Sequence, residues 1–590
     1  MYTRSGTLIQ RKFREYLIPT IITVVAIMVG NIVNSIIVGN FLSEKGLSAL
    51  ALSMPIFFTV NAMYTLFAIG GAIYTSIALG QLDKNKANTI FSVTFISGFT
   101  ITLLFAFIMM IFMSSIANYL AHGNTDLAKM VQEYLTFLVF TCPILMLVQG
   151  MSYFIRTDGI PRLAANIIIV SNFASLLLTY IFVKHLELGM RGAGLGSLLG
   201  NGLGIFMLIF YFISKQRSLS FIIPKKSDFG LLKNIISLGS PKAVLFGLSF
   251  LRTFTLNTII MKTLGIPGMV SMSICLNAFM FAKICVSGTT DTLLPIVATL
   301  LGEKDYRGIR FSANIGFRFM IAICTIISLI FLIMPELIGR MFGVQSEESM
   351  VVLNTALRMY ALSIPLYAIN TLLHNFYQAT GRIKLANLII FMNVFGFISI
   401  FGVLLGLIKG SLIWLSFILA EIASLLLIII ISKYIRKKEN VNSLLLIPSE
   451  AEDTKIDISI PATIESALGV RDKIMAFCNE NKIDNTTSLK IGIAVEEITV
   501  NIAKYGHKKN IGEIDILLRF TKDELILRIR DDGIYFNPTL YQPGNDENII
   551  TGLEIVKKLI KNIVYIRQIG FNVNIIILEI ASVGNAFIRS

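Results

Sequence analysis

The stretch Leu425-Leu-Leu-Ile-Ile-Ile-Ile-Ser-Lys433-Tyr-Ile-Arg-Lys-Lys-Glu-Asn440 is where this chain changes solvent. An apolar run ends in a cluster of bases, and nothing after it is long and apolar enough to cross about 30 Å of hydrocarbon. Before it, such stretches recur about twelve times, the first near residues 16–39 and the last near 411–432. A hydrophobic fraction of 55%, with 15% charged residues, lies far from soluble-domain norms. The expectation is an α-helical polytopic membrane protein of about 12 membrane-spanning helices with a soluble α/β module after it.

Charge supports this division. Residues 441–590 carry 20 acids against 17 bases, so the net +15 of the whole chain belongs to the membrane part. There it reads as loop charge that sets topology, and not as a nucleic-acid surface. Lys84 and Lys86, Arg156 and Arg162, Lys215 to Lys233, Lys304 to Arg310, Arg382 and Lys384, and Lys433 to Lys438 all follow even-numbered spans. By the positive-inside rule both termini are expected in the cytosol of a multi-pass protein of the cytoplasmic (inner) membrane. Arg4, Arg11, Lys12 and Arg14 precede the first apolar run without a small-residue cleavage site, so that span is expected to be retained. The five cysteines are scattered and predict no disulfide or metal framework.

The membrane part repeats itself. Pro143 and Pro365, Gly159 and Gly381, Gly80 and Gly302, and Asp83 and Asp305 are each 222 positions apart. Turn-forming residues recurring at one offset predict two six-helix repeats in the same orientation. The segment Gly71-Ala-Ile-Tyr-Thr-Ser-Ile-Ala-Leu-Gly80-Gln-Leu-Asp83-Lys, its counterpart Leu-Leu-Gly302-Glu-Lys-Asp305, and Val-Asn34-Ser-Ile-Ile-Val-Gly39 resemble the multidrug and toxic compound extrusion (MATE) transporters. The resemblance covers roughly residues 10–435. It implies two six-helix lobes that alternately open a central cavity and export small organic compounds, expected here to be cationic, in exchange for H⁺ or Na⁺. The domain reading is lobe 1 over 1–222, lobe 2 over 223–437, a linker over 438–454 and the module over 455–590.

In the module, Glu513 to Phe520 with Glu524 to Arg530, and Ile563 to Ile569 with Asn572 to Ile580, read as antiparallel pairs; helices are expected near 463–481, 485–505 and 551–562. Three motifs carry chemistry. In Val495-Glu496-Glu497-Ile-Thr-Val-Asn501, Glu497 and Asn501 share a helix face; an amide oxygen can ligate Mg²⁺, and a carboxylate can deprotonate a hydroxyl. Asp531-Asp532-Gly533-Ile-Tyr-Phe536 ends a strand, where a carboxylate can accept from an adenine amino group. Thr551-Gly552-Leu553-Glu554 opens a helix whose amides can meet phosphate. Singly each is an ordinary cap, turn or helix face.

Their order and spacing resemble the GHKL (histidine-kinase-like) ATPases, nearest the anti-sigma-factor serine kinases, over about residues 455–582. The resemblance implies an α/β sandwich and assigns Glu497 as catalytic base, Asn501 as Mg²⁺ ligand, Asp531 as the adenine-binding Asp, and Gly533, Gly552 and Leu553 to the nucleotide loops. Tyr535, where a second glycine is usual, and the glycine-poor loop at Thr551 depart from the pattern. Binding of ATP with Mg²⁺ is therefore expected ahead of phosphotransfer, and whether the module is an enzyme stays open. The MATE resemblance also has a departure: Asn34 stands where an Asp is common in the first helix, and an amide cannot exchange a proton near pH 7.

Candidate coupling groups are thus Asn34 by position, and Arg252, Lys283, Asp291, His374 and Glu421 by charge at membrane depth. A structural ion pair of Arg252 or Lys283 with Glu421 or Asp291 is the plain alternative. Asn61, Gln149, Asn172, Asn277, Asn370 and Gln378 are possible cavity groups whose simpler role is helix packing. The leading reading is an ion-coupled exporter with a fused ATP-binding regulatory module that contacts loops such as Lys215 to Lys233. The alternatives are a membrane-anchored serine kinase or sensor acting on an anti-anti-sigma-like cytosolic protein, and a flippase for lipid-linked precursors.

Overall fold

The structure, a computed structural model, describes residues 4–121, 124–214, 216–342, 347–439, 441, 443–448, 455–506, 512–520, 524–535, 537–540, 552–560 and 563–579. Lys215, residues 449–454 of the linker, Phe536, Thr551 and Ile580 lie outside them. The chain forms two compact units. One comprises Glu15–Asp305 and Ser312–Ile447; the other comprises Met1–Arg14, Tyr306–Phe311 and Pro448–Ser590.

Among the described residues twelve helices are long and apolar enough to cross a membrane: α1 Thr7–Leu42, α2 Lys45–Gly80, α3 Lys84–Ile111, α4 Thr125–Thr157, α5 Pro161–His185, α6 Gly189–Ile213, α7 Lys226–Gly265, α8 Pro267–Gly302, α9 Tyr306–Ile333, α10 Glu347–Ala379, α11 Ile383–Ile408 and α12 Gly410–Glu439. The repeat seen in sequence is a repeat of helix ends. Leu82 and Lys304, 222 residues apart, both take positive φ (65° and 56°), as do Gly159 and Gly381 (95° and 77°). At α2 the amide of Asp83 donates to Ala78 O, and at α8 that of Asp305 donates to Leu300 O, each at 2.9–3.0 Å. This six-residue back-bond is how a helix satisfies its last carbonyls before a reversal.

The same two helices touch backbone to backbone. A Cβ built on Gly80 would lie 2.1 Å from Thr299 O, and one on Gly302 2.2 Å from Ile77 O. Only the absence of side chains lets them cross so closely. Gly70 and Gly239 make a second such contact between α2 and α7. The segment 216–225 ahead of α7 is held by the bundle itself: Ser218 N donates to Asp158, Ser220 N to Asn88 Oδ1 and Ile222 N to Ser92 Oγ, all near 2.9 Å. It therefore belongs to the helical unit.

In the other unit, β1 Lys455–Pro461, β2 Glu513–Phe520, β3 Glu524–Asp531, β4 Ile563–Gln568 and β5 Phe571–Glu579 form an antiparallel sheet in the order β1-β2-β3-β5-β4. Helices α13 Ile464–Glu480 and α14 Asn485–Asn501 cover one face, with α15 Gly552–Leu559 beside them. Val470, Ile474, Ile491, Val495 and Ile498 meet Ile458, Ile514, Ile516, Leu527 and Ile529 in the core, each such burial contributing about 1.5–3 kcal/mol. Asp484 caps α14 by accepting from Thr487 N at 2.8 Å, and these hydrogen bonds hold its carboxyl below the usual range. The segments that share this unit with the sheet are 1–14 and 306–311, where the expected docking loop was 215–233.

Alanine at Gly302 forces α2 and α8 apart. Ser76, one turn away on α2, is fully buried. With native cysteines removed, Ser76→Cys is expected to react with maleimide several-fold faster in Gly302→Ala than in the Gly302 parent; equal rates would show that this crossing does not shield the position.

Candidate functional sites

Glu421 sits on the buried side of α12. Asn370 Nδ2 of α10 donates to its Oε2 at 2.6 Å and to its backbone carbonyl at 2.9 Å, while Asn393 Nδ2 of α11 reaches the same Oε2 at 2.8 Å. Asn393 lies in a π turn, Met392–Gly396, that interrupts α11; the extra residue rotates the amide inward, where it also meets Ser424 Oγ at 3.1 Å. Both donors converge on one oxygen, and among the described residues no hydrogen bond falls on Oε1.

The expected pairings of Arg252 or Lys283 with Glu421 or Asp291 are not formed. Asp291 pairs instead with Lys242 of α7 at 3.6 Å, and Glu421 takes neutral amides. Helices α7 and α8 form an antiparallel hairpin about Gly265, a kink at φ 60°. Lys242 lies 23 residues before that kink and Asp291 26 residues after it, and the fold brings the two together. Among the described residues Arg252 and Lys283 form no ion pair; Arg252 is half-buried and Lys283 exposed. His374 is buried with Nδ1 unpartnered, and Asn34 is half-buried on α1.

Three of the six candidate cavity amides are spent within their own helix and two more bond across to a neighbouring one. Asn61, Asn172 and Asn277 donate to carbonyls four residues earlier, Gln149 accepts from Tyr64 Oη at 2.7 Å, and Gln378 donates to Leu238 O at 2.8 Å.

The module gathers its motifs at one end of the sheet. Asp531, almost fully buried, accepts at Oδ1 from Gly533 N (2.8 Å) and from Asn572 Nδ2 (2.9 Å). Asn572 also donates to Ile534 O, and its own Oδ1 accepts from Tyr565 Oη, both at 2.9 Å. Burial pushes the Tyr565 phenol up, so it remains a donor. Gly506, at the end of the π turn Ile502–Gly506 that follows α14, accepts from Ile534 N at 2.9 Å; a Cβ on Gly533 would lie 2.6 Å from that carbonyl oxygen.

On α14, Asn501 Nδ2 donates to Glu497 O at 2.7 Å, leaving the amide oxygen as its acceptor. Glu496 is paired with Arg471 at 3.0 Å, which separates the roles of the two adjacent glutamates. The Glu497 carboxylate abuts Gly552 so closely that a Cβ there would overlap it. Leu553 is buried in the core. Tyr535, the departure from the glycine pattern, lies edge-on to Tyr565 at 5.9 Å and beneath Arg567. Asn572, Tyr565 and Gly506 were missed. Asn572 and Asn574 alternate with apolar residues in Phe571-Asn-Val-Asn-Ile, a signal that two amides share one face.

A carboxylate fixed at a strand end, a turn that a Cβ would fill, and an amide oxygen on the neighbouring helix fit adenine, close backbone approach and a divalent cation. The geometry thus joins a polytopic helical bundle to a histidine-kinase-like ATPase domain. The chain belongs to the MATE family: the MatE profile matches residues 19–181 and 241–408, and the histidine kinase-like ATPase domain profile matches 460–578. It is 24% identical over 370 residues to the multidrug export protein MepA of Staphylococcus haemolyticus, covering 62% of this chain and 81% of that one. To MepA of Staphylococcus saprophyticus it is 23% identical, covering 69% and 90%. Among solved structures, a point mutant of the Vibrio cholerae MATE transporter VcmN superposes with a TM-score of 0.68 at 19% identity, over 75% of this chain and 99% of that one. A Pyrococcus furiosus MOP-superfamily transporter, described as having a binding pocket of reverse polarity, gives 0.64 at 17%, over 72% and 97%.

Asn370→Ala removes two bonds to Glu421 and is expected to lower thermal stability of the purified protein by about 1–3 kcal/mol. Glu421→Gln can keep a carbonyl oxygen at the Oε2 position and should cost less. The reverse order would mean that the amide pair does not hold this side chain.

Proposed function

We propose that this protein is a secondary exporter of small organic compounds, coupled to H⁺ or Na⁺ through Glu421, and carrying a cytosolic domain that binds ATP with Mg²⁺ and regulates transport. The observation that carries the coupling is the asymmetry of Glu421: two neutral amides anchor Oε2 and no cationic side chain bonds the carboxylate among the described residues. Oε1 is then the atom that takes and gives up the coupling ion, at a depth where an unneutralised charge is costly. Asp291 already has Lys242 and Asn34 cannot titrate, so both rank below it. The basic loops after even-numbered spans support a cytosolic position for both termini.

In the domain, Asp531 would hold adenine, Asn501 would ligate the Mg²⁺ that neutralises phosphate charge, and Gly533 and Gly552 would admit the nucleotide close to the backbone. Leu553 would position the latter loop from the core. If a protein is phosphorylated, Glu497 is the base, because Glu496 is engaged with Arg471. A second reading of the cargo, as an anionic lipid-linked precursor in place of a cationic drug, draws on Arg252 and Lys283, cations without an ion pair among the described residues.

In proteoliposomes, Glu421→Gln is expected to abolish gradient-driven efflux of a cationic dye while Asn34→Ala retains it. Full efflux by Glu421→Gln sinks the coupling assignment. Arg252→Ala with Lys283→Ala should leave dye efflux intact; improved dye efflux with loss of anionic lipid movement would favour the second reading. Asp531→Asn should abolish Mg-ATP binding by the full-length protein, and unaltered binding would move the adenine site elsewhere.

A further inference from the structure

The sheet of the ATPase domain has a second face, away from α13 and α14. There Asp457 and Ser459 of β1, Asp515 of β2 and Phe571 at the β4–β5 turn meet the first residues of the chain. Arg4 N donates to Asp457 O at 3.1 Å, and Arg4 Nε pairs with Asp515 Oδ2 at 2.9 Å with both side chains nearly inaccessible. Ser5 Oγ donates to Glu513 at 2.8 Å. Lys12 Nζ donates to Gly570 O at 3.4 Å and lies 5.2 Å over the Phe571 ring. Arg11 Nη1 reaches both oxygens of Asp532, at 3.0 and 3.3 Å; that carboxylate is 7% exposed.

Two of these contacts bracket the proposed nucleotide site. Asp532 is one peptide bond from Asp531, and Phe571 is one peptide bond from Asn572, the residue that holds Asp531. Movement of the 531–534 turn around a base therefore moves the partner of Arg11. The Asp532 carboxylate is shielded while the Arg11 side chain is 43% exposed, so a shift of Asp532 leaves a largely buried charge without its guanidinium unless Arg11 follows it. Arg11 and Lys12 lie on α1, which runs on as helix to Leu42 without a break.

We propose that this face of the sheet is a docking surface for the chain's own basic N-terminal segment, and that the Arg11–Asp532 pair reports nucleotide occupancy to α1. The proposal rests on the ATP-binding reading and adds the element that carries its effect. The occupant is this segment and not a cytosolic partner, because two of its cations, Arg4 and Arg11, already meet Asp515 and Asp532, and Lys12 covers the Phe571 ring. By linkage, whatever ATP does to the position of α1, a shift of α1 must do to ATP affinity by the same factor.

The test uses the full-length protein in lipid nanodiscs, with Mg-ATP affinity and deuterium uptake of residues 4–14 as readouts. Arg11→Ala and Asp532→Asn are each expected to change the Mg-ATP Kd by about fivefold or more, and the double variant by no more than the larger single change. The exchanged pair, Arg11→Asp with Asp532→Arg, should return toward wild type, and Mg-ATP should alter uptake in the wild-type segment. The uptake measurement needs no variant, so it stands if a substitution prevents folding. Wild type that binds Mg-ATP, with unchanged affinity in Arg11→Ala and unchanged uptake at residues 4–14, overturns the proposal while sparing the ATP site. Wild type that binds no Mg-ATP overturns both.

Discussion

A carboxylate carried into a bilayer must be neutralised, solvated or paired, and this constraint organises the transporting half around Glu421. Three helices contribute to meeting it. Asn370 comes from α10, Asn393 from the π turn in α11, and the backbone carbonyl of Glu421 itself anchors the first amide. Amides fix the position of the group without fixing its charge, which is what the coupling role proposed for Glu421 requires. Lys242 beside Asp291 represents the other solution, a pair whose charge is already balanced. The close crossing of α2 and α8 at Gly80 and Gly302 is the mechanical counterpart. It is built from the same turn in both repeats, so the repeat places one glycine against its own image.

The ATPase domain uses its sheet on both sides. One face is an ordinary apolar layer under α13 and α14. The end of the sheet carries a polar cluster in which Asn572 braces Asp531 and the Gly506 carbonyl is bonded to the amide of Ile534 beside Gly533. The other face bears acids that meet Arg4, Arg11 and Arg307.

How much of this was legible depends on the range of the signal. The twelve spans and their repeat were readable because apolar length and helix-ending glycines are local properties, and Gly159 and Gly381 both take positive φ at the turns. The four strands and three helices expected in the module form where alternation and caps placed them, with β1 as an addition at the start. The roles proposed for Glu497, Asn501, Asp531 and Gly533 come from a spacing pattern, which is local to each motif. The partners could not. Nothing in the sequence says that Asn370 and Asn393 converge on one oxygen of Glu421, since that follows from the packing of three helices. Arg4, Arg11 and Lys12 read as topogenic charge because a base that pairs with a distant acid looks the same in sequence as one that faces lipid headgroups.

The proposed function has an ion gradient drive transport and nucleotide adjust it. The most direct measurement is the initial rate of cargo efflux from proteoliposomes under an imposed H⁺ or Na⁺ gradient, with and without saturating Mg-ATP on the side of the ATPase domain. Flux is expected to require the gradient, to proceed without ATP, and to change in rate when ATP is present. Flux that persists without any gradient and requires ATP hydrolysis would contradict it.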